Sequence, residues 1–265
     1  MALILKRIDA GGLQVEALYH RRSRYDTPAQ RAAKEKASSE AQRRMNQIYS
    51  YQKLELLLAT NFPAPGSALV VTLTYDDDHM PKDRKQALRH LRLFRAKLKK
   101  EREAARLPEP VAFWCVEVLT AEDGRWHFHM VINNTGFDAE MIRRCWIYGS
   151  NIQIEKLRVD KEKNWESLAR YLSKEPRECQ DELAKPGQHA WSCTRNVLRP
   201  EVDTVTVPDD YKLSAPEGSE VLLDEQKRTE FASYHILKYR YPGVRAMVKA
   251  ARRRQRRRER TARRR

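Results

Sequence analysis

The stretch from Val111 to Asn133, VAFWCVEVLTAEDGRWHFHMVIN, limits what this chain can fold into more than any other. Two runs rich in β-branched and aromatic residues flank Glu122-Asp123-Gly124, which suits a hairpin loop closed by a glycine in the left-handed region. With Ala121 facing Arg125, Glu117 falls opposite His129 and Leu119 opposite His127, and directly opposed residues share a face. The reverse face is apolar, with Trp114, Val116 and Val118 on one strand and Phe128, Met130 and Ile132 on the other. A slip of one residue would push Glu117 into that apolar layer, an expensive place for an unpaired charge. One carboxylate and two imidazoles are therefore expected to converge on the face turned away from the core.

The segments around this hairpin supply the rest of a sheet. Ala68 to Tyr75 alternates as a strand, with Thr72 and Thr74 on one side and Leu69, Val71, Leu73 and Tyr75 on the other. Asp83 to Ala105 reads as a basic helix with an apolar stripe of Ala87, Leu91, Phe94 and Leu98. Asp138 is the expected N-cap of a helix running through Cys145 and Trp146 to a stop at Gly149, and Asn151 to Leu157 alternates as a further strand. Trp165 to Lys174 is a short helix ended by Pro176. A strand is expected within HAWSCTRNVLRPEV and another at VDTVTV, and Glu220 to Tyr239 reads as a last helix packed by Phe231, Tyr234 and Leu237. Ahead of these, a possible N-terminal strand leads into a basic loop. A long helix follows, from an N-cap at Thr27 and a first-turn Pro28 to about Thr60.

The expected class is α+β: a central, mostly antiparallel sheet of about five strands, with helices on one face and the other face open. The expected organisation is a basic N-terminal arm and helix over 1–62, a catalytic domain over 63–207, a helical extension over 208–248 and a disordered Arg-rich tail over 249–265.

Charge gives the first expectation of a partner. The formal net charge is +16, and from Lys249 onward eleven Lys or Arg stand against one Glu, which leaves +6 for the rest of the chain. Such a balance points to an anionic partner, nucleic acid first, with basic helices and tail holding phosphates. The four cysteines show no C-x-x-C pair and follow no secretory signal, and no apolar run approaches the roughly 20 residues that cross a bilayer. A cytoplasmic protein with no membrane partner is the expectation. No P-loop is present, so duplex opening would fall to supercoiling or to another protein.

Glu117, His127 and His129 suit a divalent ion, Mg²⁺ or Mn²⁺, with positions left for substrate. Tyr171 and Lys174 lie one turn apart on one helix, where a cation favours the phenolate of an otherwise poor nucleophile. Basic charge alone is equally served by a non-catalytic nucleic-acid-binding protein. A hydrolase or oxygenase using two histidines and a carboxylate would leave the tyrosine and the charge unused.

The ordered set resembles the HUH endonucleases, named for His-hydrophobic-His, here His127-Phe128-His129. It is most similar to rolling-circle replication initiators of small phages and plasmids, in the microvirus and filamentous-phage gene II-like branch. The residues that carry the likeness are Asn61-Phe62, Thr72-Leu73-Thr74-Tyr75, Glu117 with His127 and His129, Tyr171-Leu172-Ser173-Lys174, and Trp191 to Asn196. The resemblance implies an RRM-like palm and a metal held by Glu117, His127 and His129. It implies attack on single-stranded origin DNA by Tyr171 with help from Lys174, giving a 5′-phosphotyrosyl intermediate and a 3′-OH primer. Thr72, Thr74, Tyr75, Arg125 and Arg170 would contact DNA, and a host helicase and polymerase in a bacterial cell would complete replication. Only one tyrosine sits in the motif, which implies the single-tyrosine subclass. A transposase or relaxase of the same superfamily would use the same chemistry.

Overall fold

The computed structural model describes residues 3–20, 39–64, 66–119, 125–157, 165–173, 191–228 and 233–241, and for 39–46, 116–119, 227–228 and 233 the backbone only. The loop at 120–124, the expected start of the first helix at Thr27-Pro28, Lys174, Phe231 and the Arg-rich tail lie outside the described residues. The chain divides into two units: Met1–Pro63 with Leu198–Arg265, and Ala64–Val197.

The second unit carries the histidines. Its strands are β3 (Ala68–Thr74), β4 (Ala112–Leu119), β5 (Arg125–Asn133), β6 (Ile152–Lys156) and β7 (Ser192–Cys193), in the order β6-β3-β5-β4-β7. All neighbours are antiparallel. One face is the core, where Leu69, Val71, Leu73, Trp114, Phe128, Met130 and Ile132 meet helices α2 (Arg84–Ala104) and α3 (Asp138–Cys145). Helix α2 buries the expected stripe of Ala87, Leu91, Phe94 and Leu98, and starts at Asp83, whose carboxylate accepts from the Gln86 N–H at 2.7 Å.

Arg102 continues the buried stripe without being apolar. It is fully buried, and its guanidinium meets Asp138 Oδ1 at 2.7 Å, Asn133 Oδ1 at 2.7 Å and the Asn133 carbonyl at 2.8 Å. Burial pushes its pKa down from the usual arginine value, and Asp138 opposes that shift. Asp138 is thus the first residue of α3 rather than its cap. Its other carboxylate oxygen accepts from the Thr135 N–H at 2.5 Å and the Thr135 hydroxyl at 2.8 Å.

Gly149 is likewise not a helix stop, since α3 ends at Cys145. A Cβ at Gly149 would collide with the carbonyl of Thr74 and stand 3.0 Å from Tyr75 Cα. The glycine lets the chain lie against the end of β3, where Trp146 Nε1 donates to the Thr74 carbonyl at 2.7 Å and the Asp76 N–H to the Tyr148 carbonyl at 3.0 Å.

The first unit is built on β1 (Leu3–Ala10), β2 (Leu13–His20), β8 (Glu201–Val207), β9 (Glu220–Arg228) and β10 (Ser233–Arg240), in the order β8-β1-β2-β10-β9. Gly11 and Gly12 both take positive φ, 73° and 112°, as a two-residue hairpin turn of the primed kind requires. One face of this sheet packs Leu3, Leu5, Leu18, Leu237 and Tyr239 with Leu213. On the other, Lys238 reaches Glu55 of helix α1 (Ser39–Asn61) at 2.7 Å, with both side chains nine-tenths or more buried.

The expected helix over Glu220 to Tyr239 is therefore corrected to a β-hairpin, with Tyr234 opposite Lys227 and Leu237 opposite Asp224. Strand β10 is covered on both faces, so apolar residues occur at both parities and the period-two signal is hidden. The VDTVTV strand exists as β8, but it pairs with β1, and the unit that holds the histidines ends at Val197.

Candidate functional site

The hairpin brings the expected residues onto one face in a register displaced by two residues from the sequence expectation. Glu117 pairs with His127, Cys115 with His129 and Leu119 with Arg125. Because the displacement is even, the parity survives, and the ligand positions stay on the face opposite Trp114, Phe128 and Met130. Strand β3 adds Thr72 beside His129 and Thr74 beside His127.

That face is not open. His127 is 6% and His129 8% exposed, and Phe113 and Val131 on the same side are fully buried. Within this unit it is helix α4 (Glu166–Leu172) that reaches His129, and its own Ala169 and Leu172, with Trp165 before it, are buried. The contact of this helix with the histidine face is made by Tyr171, on His129. The face expected to be open is thus buried at both histidines.

Tyr171, by contrast, remains 38% exposed while its hydroxyl lies 2.7 Å from Nε2 of His129. The two rings stand 4.9 Å apart at 67°. On the other side of the imidazole, the Thr72 hydroxyl lies 3.2 Å from Nδ1. The His127 and His129 rings are 4.8 Å apart and nearly perpendicular. A nucleophile candidate and two imidazoles so form one contiguous group, buried at the histidines and accessible at the phenol.

The remaining assignments divide. Thr74 sits on the histidine face, but its hydroxyl donates to the Asn151 carbonyl. Tyr75 turns to the core, 3% exposed among Trp146, Tyr148 and Phe128, and burial raises its phenol above the ordinary value. That placement gives it a packing role in the core. Arg125 bridges Asp77 at 2.7 Å and donates to the Tyr75 carbonyl at 3.3 Å, and Arg170 pairs with Glu166 one turn earlier.

Two segments singled out by sequence serve as fasteners. The Asn61 amide donates to the Leu57 and Leu198 carbonyls and accepts from the Leu198 N–H. The Trp191 to Asn196 run forms the edge strand β7, and Thr194 exchanges two hydrogen bonds with Ala112. One residue of the site went unassigned from sequence: Cys115, 3% exposed and opposite His129, two positions before Glu117 and so of the same parity.

The donor set fits a divalent cation in kind. Two neighbouring imidazoles share a desolvated face, and the register sets a carboxylate residue opposite one of them. Among the described residues no group of three His, Cys, Asp or Glu converges, and the Glu117 side chain is not among them. The Nε2 lone pair of His129 can serve the Tyr171 hydroxyl or a cation, but not both at once.

Comparison with known families bears on this segment. Residues 68–176 match the family model of the replication-associated protein, ORF2/gene II protein type. The matched span opens at the first residue of β3 and closes just beyond α4, so it contains Thr72, Glu117, His127, His129, Tyr171 and Lys174. The site-bearing segment is thus similar to proteins of replication, and the match supports a role in its initiation. No curated protein and no solved structure matches the chain. Among the described residues no helix is long and apolar enough to cross a membrane.

Proposed function

We propose that the chain is a DNA-nicking enzyme of replication initiation, acting on single-stranded origin DNA through Tyr171. The observation that carries this reading is the 2.7 Å approach of the Tyr171 hydroxyl to His129 Nε2, on a helix that leaves the phenol accessible. The match of residues 68–176 to a replication-associated family supports the same reading.

In the proposed reaction the Tyr171 oxygen attacks the scissile phosphorus. The bond from phosphorus to tyrosine forms as the bond to the 3′ oxygen breaks, so the protein carries a 5′-phosphotyrosyl link and the DNA a free 3′-OH. The proton lost by the phenol is matched by the one gained at the 3′ oxygen. Without an ion, His129 Nε2 is the acceptor nearest the phenol and Thr72 fixes the ring from its other nitrogen; with an ion held, that Nε2 would serve the ion, and favouring the phenolate is assigned to Lys174. Mg²⁺ or Mn²⁺ held by Glu117, His127 and His129 would supply Lewis-acid charge to the phosphate oxygens. The covalent link conserves the energy of the broken bond, so attack by a 3′-OH reseals the strand without a nucleotide cofactor.

The test uses the full chain, a pool of randomised single-stranded 60-mers labelled at the 3′ end, and Mn²⁺ or Mg²⁺. The expected product is a denaturation-resistant labelled protein band, lost on chelation and reduced at least about 100-fold in Tyr171→Phe. An undiminished band in Tyr171→Phe overturns the assignment of the nucleophile. No band in the wild type favours a protein that binds nucleic acid without cutting it.

A further inference from the structure

We propose that the solvent face of α2, lined by Lys85, Arg89, Arg92 and Lys100, docks the phosphate backbone of duplex DNA, at a surface separate from the tyrosine site. At about 100° per residue these four positions fall within roughly 80° of one another, opposite the buried stripe of Ala87, Leu91, Phe94 and Leu98. All four are exposed, and they run over about 22 Å of helix at 1.5 Å per residue.

Three features set this stripe apart from an ordinary solvated face. From Arg84 to Lys100 there is no Asp or Glu against eight Lys or Arg. Like charges at i,i+3 and i,i+4, such as Lys85 with Arg89 and Arg89 with Arg92, weaken a helix unless an anion lies over them. Secondly, the neighbouring cations are engaged. Lys99 pairs with Glu109 at 2.8 Å, Lys97 donates to the Arg144 carbonyl at 3.2 Å, and Arg95 lies 3.9 Å from the centre of the Trp114 ring. Among the described residues the four stripe cations have no ion-pair partner, and the first acid on their line is Glu103, one turn beyond Lys100.

Thirdly, the exposed positions between Lys85 and Lys100 carry Leu88, Leu93 and Ala96 but no aromatic ring. A surface for single strands stacks their bases on aromatic side chains, whereas a duplex keeps its bases stacked and presents phosphates alone. Charge without stacking suits the duplex.

Topology makes the surface separate. Helix α2 packs on Leu73, Phe128 and Met130, whereas Thr72, His127 and His129 occupy the other side of the same strands. The sheet and the width of a helix, about 10 Å, therefore lie between stripe and phenol. Duplex held there is DNA flanking the cut and not the strand being cut. That assignment of the anion rests on the nicking reading above.

The test compares Lys85→Gln/Arg89→Gln/Arg92→Gln with an equal-charge control, Lys53→Gln/Lys156→Gln/Lys212→Gln, in the full chain. Fluorescence anisotropy reads affinity for a blunt 30-base-pair duplex and for a single strand of the same length between 50 and 200 mM salt. Circular dichroism checks that both triples are folded. The stripe triple should lose at least about tenfold in duplex affinity at 100 mM salt, and its log–log salt slope should fall by about 2 to 3, near 0.9 per phosphate contact. The control on duplex, and the stripe triple on the single strand, should each lose less than about threefold. Equal losses in the two triples, or equal losses on duplex and single strand, overturn the proposal. So does stripe-dependent binding to phosphatidylserine vesicles with duplex affinity unchanged. A wild type that gives no covalent band yet shows the stripe-specific duplex loss fails the nicking reading and leaves this one standing.

Discussion

His129 has two ring nitrogens, and each meets a different hydroxyl: Thr72 at Nδ1, 3.2 Å away, and Tyr171 at Nε2, 2.7 Å away. An imidazole pinned at both ends is held in one orientation, which is the geometric condition for a base or a ligand to act on a neighbour. Thr72→Val keeps the shape and removes one pin, so a buried ring nitrogen loses its hydroxyl partner. The expected cost is about 1–3 kcal/mol in urea unfolding, with Thr72→Ser close to wild type. Equal stability of the valine and serine variants would show that the contact does not hold the ring. This interaction was half legible in the sequence. Alternation alone put Thr72 and the histidines on matching parities, but only the pairing of β3 with β5 made Thr72 and His129 neighbours.

Elements explain why certain sequence expectations survived and others did not. The hairpin survived a register error because an even displacement leaves every side chain on its original face. The expected helix at Glu220 to Tyr239 did not survive, since a strand covered on both faces lacks the alternation that would announce it. Helix α4 was foreseen, but not the approach of its Tyr171 to His129, an exposed phenol against a buried imidazole. The bend after α3 also depends on one close approach: the chain at Gly149 touches the Thr74 carbonyl, at the end of the strand that carries Thr72. Gly149→Ala should therefore destabilise by about 1–3 kcal/mol in denaturant unfolding, as overpacking does. It should also lower adduct yield, because the clash bears on β3; a variant with wild-type stability would mean that the segment yields without strain.

Across the whole molecule, each unit contains an ion pair withdrawn from water, Arg102 with Asp138 in one and Glu55 with Lys238 in the other. The second joins residues 183 positions apart, from α1 and β10, and so makes the first unit depend on both ends of the chain. Lys238→Met strands a buried carboxylate and should cost about 3–5 kcal/mol in denaturant unfolding, whereas Glu55→Leu/Lys238→Met should recover most of it. A single variant no less stable than the double would show that Glu55 finds other solvation. Neither pair was foreseen, because the partners lie far apart in sequence and a buried arginine or lysine looks, residue by residue, like surface charge. What the sequence by itself determined is local and periodic. It specified the face each hairpin residue occupies, the apolar stripe of α2, the parity shared by Glu117, His127 and His129, and a net charge of +16. Only the tertiary structure decided what lies on those faces. It set Tyr171 against His129, closed the histidine face and turned Tyr75 inward. It also left the cations of α2 on the side of the sheet away from the phenol. The physical reason is that alternation and helical period dictate direction relative to the chain's own axis, whereas contact between elements depends on strand order and packing that no local pattern encodes.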